Sequence, residues 1–281
     1  MKKLLRWTGI AIGVLVGLVV VAYAVLYVLS ERALRRTWEV PAVALKIPTD
    51  RRSIEEGRRL AYVHGCFGEC HGKAGEGTVF FDQPMIARLV APNLTTAVRR
   101  YNDAQLAVII RDGVRPNGRS VFAMPAETFN GMSDADLADI IAFLKSLPPV
   151  AGPEPSFSPG PLGRLGLATG EFKTAAEIIA DTVPPPAATN PQAERGRYLA
   201  RTICTECHGT NLRGDTNPEF TSPDLRIVAA YSPEAFTRLM RTGIALGDRE
   251  LGIMSKRARN GLSHLTDAEI AALYSYLHAM P

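Results

Sequence analysis

Residues 204–208 read Cys204-Thr205-Glu206-Cys207-His208, and residues 66–71 read Cys66-Phe67-Gly68-Glu69-Cys70-His71; between them they use every cysteine of the chain. The first is the C-x-x-C-H pattern of c-type haem attachment. Its two thiols suit thioether bonds to the haem vinyl groups, and the adjacent imidazole suits the iron. A chain with two such motifs is expected to move electrons. Paired cysteines also suit zinc or disulfides. Zinc, however, requires neither a histidine directly after the second cysteine of each pair nor a methionine at a matched distance downstream, and both are present.

The upstream motif has three residues between its cysteines instead of two. Ordinary spacing exploits the shared helix face of positions i, i+3 and i+4, so the added residue must bulge out. Gly68 lies inside the insertion and can take the backbone angles a bulge needs. Two thioethers are expected, through Cys66 and Cys70, with attachment through Cys70 alone, or no first haem, as the alternatives.

Residues 7–29 carry no charge, and 23 residues at about 1.5 Å each can cross a hydrocarbon core of about 30 Å. Lys2, Lys3 and Arg6 precede this stretch and favour a cytoplasmic N-terminus, although Arg32, Arg35 and Arg36 weaken the bias. Ala22-Tyr23-Ala24 resembles a signal-peptide cleavage site, but apolar residues continue beyond it. An uncleaved anchor in the bacterial inner membrane is expected, with the haem domains in the periplasm. The formal charge of +4 includes those three leading positives, and four haem propionates would take the remainder to about −3. Nucleic-acid binding is therefore not indicated.

Beyond the anchor the sequence repeats once. Tyr101, Arg111, Gly113 and Met124 match Tyr231, Arg241, Gly243 and Met254 at a constant offset of 130, and Gly57-Arg58 matches Gly196-Arg197. DADLADIIAFLKSLP from Asp134 faces DAEIAALYSYLHAMP from Asp267. Ser133 and Thr266 are N-cap residues there, with acidic first turns and apolar residues at helical spacing. Strand signals are scarce. The fold expected is all-α: an anchor over 1–36, a first domain over 37–150, a proline-rich linker over 151–190 with a short amphipathic piece near Lys173 to Asp181, and a second domain over 191–281.

The repeat also selects candidate axial ligands. Met240, Met280 and Met132 face Ile110, Leu147 and Leu265 in the other half, which marks core positions, and Met85 has no counterpart. Only Met124 and Met254 pair with each other, and loops just before the closing helix are expected to carry them. His71 and His208 are the proximal candidates. His64, His264 and His278 have no histidine counterpart and are expected on the surface or packed at a haem edge.

These residues resemble the class I cytochrome c family, more specifically membrane-anchored dihaem cytochromes c that serve bacterial membrane-bound dehydrogenases. The resemblance covers 50–150 and 190–281 and implies two tandem class I domains with two covalently bound haem c groups. It further implies that the carbonyls of Pro92 and Pro223 accept a hydrogen bond from His71 and His208. Arg111 and Arg241 look like propionate partners. The three-residue gap of the first motif departs from the family pattern.

The expected role is electron transfer from a dehydrogenase to a quinone, soluble cytochrome or oxidase, with no catalysis of its own. A haem-bearing subunit of a terminal oxidase is the alternative. A dihaem peroxidase, which leaves one iron open, fits less well because both halves have a methionine. No phosphate-binding glycine loop, nucleophile elbow or H-E-x-x-H occurs.

Overall fold

A computed structural model describes residues 2–182, 191–216 and 220–280. Its first element is one unbroken helix, Lys2–Arg35, long and apolar enough to cross a membrane, with none of its most apolar window buried. The same properties suit a signal sequence. The helix continues past Ala24, and its last turns are held by Arg164, which donates to the Ser30 hydroxyl at 2.8 Å and lies 4.0 Å above the Tyr27 ring.

Each half is built on a leading helix crossed by a closing helix. In the first, Arg51–Val63 packs against Asp134–Ser146; in the second, Pro191–Leu199 packs against Asp267–His278. The expected caps form: Ser133 accepts from Asp136 N, and Thr266 with Glu269 makes a full capping box. Such caps satisfy amide donors that the helix leaves without partners. The crossings are made close by glycine. A Cβ on Gly57 would sit 1.8 Å from the Asp139 carbonyl oxygen, and one on Gly196 would sit 2.0 Å from that of Ala272.

The middle helices, Asp103–Asp112 and Pro233–Thr242, both end on a left-handed glycine, Gly113 at φ 65° and Gly243 at φ 74°. That conformation is costly for any residue with a Cβ. It turns each chain into the segment that carries the methionine. Leu60, Leu137, Ile140 and Ile141 centre the first core, and Phe236, Leu265, Ile270 and Leu273 the second. Met132 and Met240 are buried there as expected, and Met280 packs against the second core.

Small sheets decorate this helical frame. Thr78–Gln83 and Ala87–Ala91 form an antiparallel hairpin, and Ser156–Pro159 adds a third strand beside the second. The proline-rich stretch is thus docked over the part described. After that strand, the helix Pro161–Thr169 packs along the end of the apolar helix, and Ala175–Asp181 packs beside the one-turn helix Ala126–Phe129. Residues 183–190 of the expected linker lie outside the described residues.

Contacts between the halves are numerous. Arg59 of the first leading helix makes a two-pronged ion pair with Glu269 of the second closing helix, at 2.7 and 3.1 Å. Tyr198 of the second leading helix donates to Asp136 of the first closing helix at 2.5 Å. Val63 joins the second core outright.

Candidate functional site

The backbone of the first motif shows why its extra residue is tolerated. Phe67 is extended (φ −112°, ψ 151°) and Gly68 is left-handed (φ 82°), so the turn bulges at the expected glycine before Cys70. The Phe67 ring is 2% exposed and packs on Tyr62 and Phe143 in the first core. The bulge turns that ring inward. Cys66 and Cys70 both remain on the wall of a single cavity of about 690 Å³.

His71, Pro92 and Met124 line the same cavity. The His71 ring donates from Nδ1 to the Pro92 carbonyl at 2.8 Å, which leaves Nε2 free to face a metal. Burial holds this histidine below its ordinary pKa. A neutral ring fixed in one tautomer by a carbonyl is the arrangement that a metal-ligating imidazole needs. Met124 sits in a loop, as expected, between Val121 and the helix Ala126–Phe129.

The second half repeats the histidine-to-proline bond of the first. Cys204 ends a wide helical turn, and Thr205–His208 follow as one α-turn without a bulge. His208 is buried and donates from Nδ1 to the Pro223 carbonyl at 2.9 Å. The Cys207 carbonyl accepts from the Ser222 hydroxyl. Met254 departs from expectation in its setting: it lies in the first turn of a helix, Ile253–Asn260, not in a loop. Buried Ser255 receives the chain there, its hydroxyl donating to the Gly243 carbonyl at 2.5 Å. Cys204 and Met254 pack against the same core.

No disulfide joins the four cysteines, and no three His, Cys, Asp or Glu side chains converge on a metal position among the described residues. Neither the disulfide nor the zinc arrangement is present among the described residues. Burial pushes the Cys66 thiol up to about 11 and the Cys204 thiol up to about 12, and the Arg257 charge opposes the shift in both.

Arg111 and Arg241 share a position in the repeat but do not face the first cavity. Each pairs with the first residue of its closing helix: Arg111 with Asp134 at 2.8 Å and Arg241 with Asp267 at 2.6 Å. The cations on the cavity wall are Arg100 and Arg115 instead. Burial lowers the pKa of Arg115, which donates to the Ser120 carbonyl at 3.0 Å. Their counterparts at offset 130 are Ala230 and Ala245, so a search for features common to both halves passes over them.

Size, two thiols, a tautomer-locked imidazole and a thioether in one cavity fit a covalently held haem c. Cys66→Ser tests the bulged attachment. The expected result is a first haem retained by Cys70 alone, with the pyridine haemochrome band moved to longer wavelength as one unreacted vinyl produces. An unmoved band identifies Cys66 as a bystander.

Glu127, in the one-turn helix behind Met124, has a buried carboxylate oxygen without a hydrogen-bond partner. Burial raises its pKa to about 7, and the Glu206 charge adds to the shift. A raised carboxyl pKa stabilises the fold below the unfolded value near 4.5, and that stabilisation is lost as pH rises through 7. Glu127→Gln is expected to remove on the order of 2 kcal/mol of stability loss between pH 5 and 8. Urea unfolding at the two pH values measures it; equal pH dependence in variant and parent contradicts it.

A helical domain that buries a Cys-Cys-His turn against a methionine-bearing segment, given twice, defines a c-type cytochrome. The family model for cytochrome c matches residues 54–148 and 193–281, and the chain belongs to that family. It is 26% identical over 260 residues to the fructose dehydrogenase cytochrome subunit of Gluconobacter japonicus, covering 82% of this chain and 53% of that one. It is 26% identical over 264 residues to the gluconate 2-dehydrogenase cytochrome c subunit of Pantoea cypripedii, covering 81% and 59%. With the alcohol dehydrogenase (quinone) cytochrome c subunit of Gluconacetobacter polyoxogenes the identity is 24% over 278 residues, covering 85% and 58%. The chain thus spans just over half the length of these relatives.

Proposed function

We propose that the chain carries two covalently bound haem c groups and serves as the electron-transfer subunit of a membrane-bound dehydrogenase. It takes electrons from the dehydrogenase and passes them to a quinone, soluble cytochrome or oxidase. The observation that carries this reading is the duplicated site: two attachment motifs, each with a histidine locked by a proline carbonyl, at 2.8 and 2.9 Å. In this reading Cys66 and Cys70, and Cys204 and Cys207, would hold the haems, and His71 with Met124 and His208 with Met254 would ligate the irons. The haem supplies a one-electron couple, and methionine ligation raises its potential.

The remaining work belongs to the protein. Pro92 and Pro223 keep the imidazoles oriented, so little rearrangement accompanies electron transfer. Apolar walls such as Leu106, Ile140 and Leu144 exclude water from the first site. Arg115, on the wall of the first cavity, is the candidate to balance propionate charge there, whereas Arg111 and Arg241 are held by Asp134 and Asp267. The helix Lys2–Arg35 serves as the anchor, with the two domains on the periplasmic side.

The names of the relatives suggest the test. Fructose, gluconate and ethanol are added in turn to membranes from the native host and from a strain lacking this chain, and haem c reduction is followed optically. A sugar-, sugar-acid- or alcohol-type donor that reduces haem c only when the chain is present supports the reading. Equal reduction in both membranes contradicts it.

A further inference from the structure

The leading helix of the first half, and the wide turn Ala200–Cys204 that continues the leading helix of the second, meet at the seam between the halves. A helix C-terminus leaves carbonyls without intrahelical partners. Gly57 and Gly196 set the offset between the leading helices at 139, which makes Val63 and Thr202 counterparts. Each of these carbonyls accepts a side chain from the opposite half. Thr202 accepts from the His64 ring, Nδ1 to O, at 2.9 Å, and Val63 accepts from the Arg257 guanidinium. His64 stands two residues before Cys66, and Thr202 stands two residues before Cys204.

The two attachment turns are therefore adjacent. His64 is 5% exposed and lies edge-on to Phe129 at 5.9 Å. It lines the first cavity, and so does Glu206, which comes from between the cysteines of the second motif. The Arg257 charge acts on Cys66 and on Cys204 alike. Thr205, next to Cys204, reaches Thr128 of the first half at 3.4 Å.

We propose that this joint is the route by which an electron crosses between the two haems, with His64 as the residue that bridges the attachment turns. The route runs from Cys66 through Gly65 to the His64 ring, across one hydrogen bond to the Thr202 carbonyl, and through Ile203 to Cys204. One iron passes from ferrous to ferric as the other passes from ferric to ferrous. No bond is made or broken and no proton is transferred. Burial takes the His64 pKa down to about 4, so the ring stays neutral, with Nδ1 as donor, across the working pH range. His64 is a positioning residue: it sets the coupling between two redox sites and reacts with nothing.

The inference rests on the two-haem reading above, and one experiment separates the two. The full-length protein is purified as parent, His64→Leu and His64→Asn, and haem per chain is counted by pyridine haemochrome. Each haem's potential is measured by redox titration. Electron equilibration between haems is then timed after pulse reduction and compared at the driving force each variant's own potentials set. His64→Leu keeps an apolar filler but removes the donor, and a several-fold loss of interhaem rate is expected. His64→Asn places an amide donor near the Nδ1 position, and recovery of most of the rate is expected. One haem per chain in the parent overturns both readings. Two haems with an unchanged rate in His64→Leu overturns this inference alone, as does an equal loss in Leu and Asn variants.

Should His64→Leu fail to accumulate, His64→Phe takes its place, since it keeps a flat ring beside Phe129 but removes the donor to Thr202. A slowed interhaem rate in His64→Phe supports the joint as the route. An unchanged rate there overturns it.

Discussion

Gly57→Ala and Gly196→Ala are each expected to cripple the half they belong to. In an exposed helix, glycine to alanine gains roughly 1 kcal/mol. Here the sign reverses, because the new methyl would lie 1.8 Å from the Asp139 oxygen in one case and 2.0 Å from the Ala272 oxygen in the other. Both obstacles are backbone of the closing helix, and backbone cannot swing aside as a side chain can. The helices must separate by more than an ångström, opening the core around Leu137 and Ile141 or around Ile270 and Leu273. Overpacking typically costs about 1–3 kcal/mol and sometimes more, and a backbone clash belongs at the upper end. A loss of about 3 kcal/mol in a domain of this size lowers Tm by roughly 10–20 °C. Thermal unfolding followed at the Soret band is the measurement, with exposed Arg58→Ala as the control. A glycine variant that melts with the parent contradicts the crossing geometry.

Met124→Ala and Met254→Ala are expected to open one iron each while leaving haem covalently attached. Attachment depends on the cysteines, and the proximal bond depends on His71 or His208, so neither substitution touches what holds the haem. In the proposed arrangement, what each removes is the sixth ligand. The reduced parent should bind little carbon monoxide, and each variant should bind close to one equivalent, with a lowered potential for the affected haem. Met124 lines the first cavity directly. Met254 occupies the first turn of a helix packed on the second core, so its variant is the more searching test. No gain of binding in Met254→Ala would move the second axial ligand elsewhere, with His264 the next candidate.

Much of this arrangement is legible before any coordinates. The N-caps at Ser133 and Thr266 and the methionine core positions follow from local rules applied to a sequence that repeats, and the histidine-to-proline bonds follow from the family resemblance. The repeat is the stronger instrument, since a residue conserved between halves has been asked for twice. Its weakness is the converse. Arg100 and Arg115 line the first cavity opposite Ala230 and Ala245 in the other half, and a feature found in one half only is invisible to a comparison of halves. Arg111 and Arg241 illustrate another limit, because pairing shows that two arginines do the same thing without showing what. Both hold the start of a closing helix.

The docked linker was hidden for a different reason. Pro161 at the first helical position and Gly170, left-handed just past the end, are ordinary helix signals. The surrounding prolines drown them. The strand Ser156–Pro159 pairs with residues 87–90, nearly seventy positions earlier, and no local pattern announces so distant a partner. His64 belongs to the same class: its identity as a lone histidine without a counterpart was plain, but its bond to Thr202 crosses 138 residues of sequence.

The central claim is that both motifs hold haem, the irregular one included. Intact mass of the purified protein under denaturing conditions, taken with the pyridine haemochrome spectrum, tests it most directly. The account predicts a chain that retains the mass of two haems through denaturation and gives one symmetrical haemochrome band at the position of two thioether bonds. A mass corresponding to a single haem, carried by Cys204 and Cys207 alone, would contradict it.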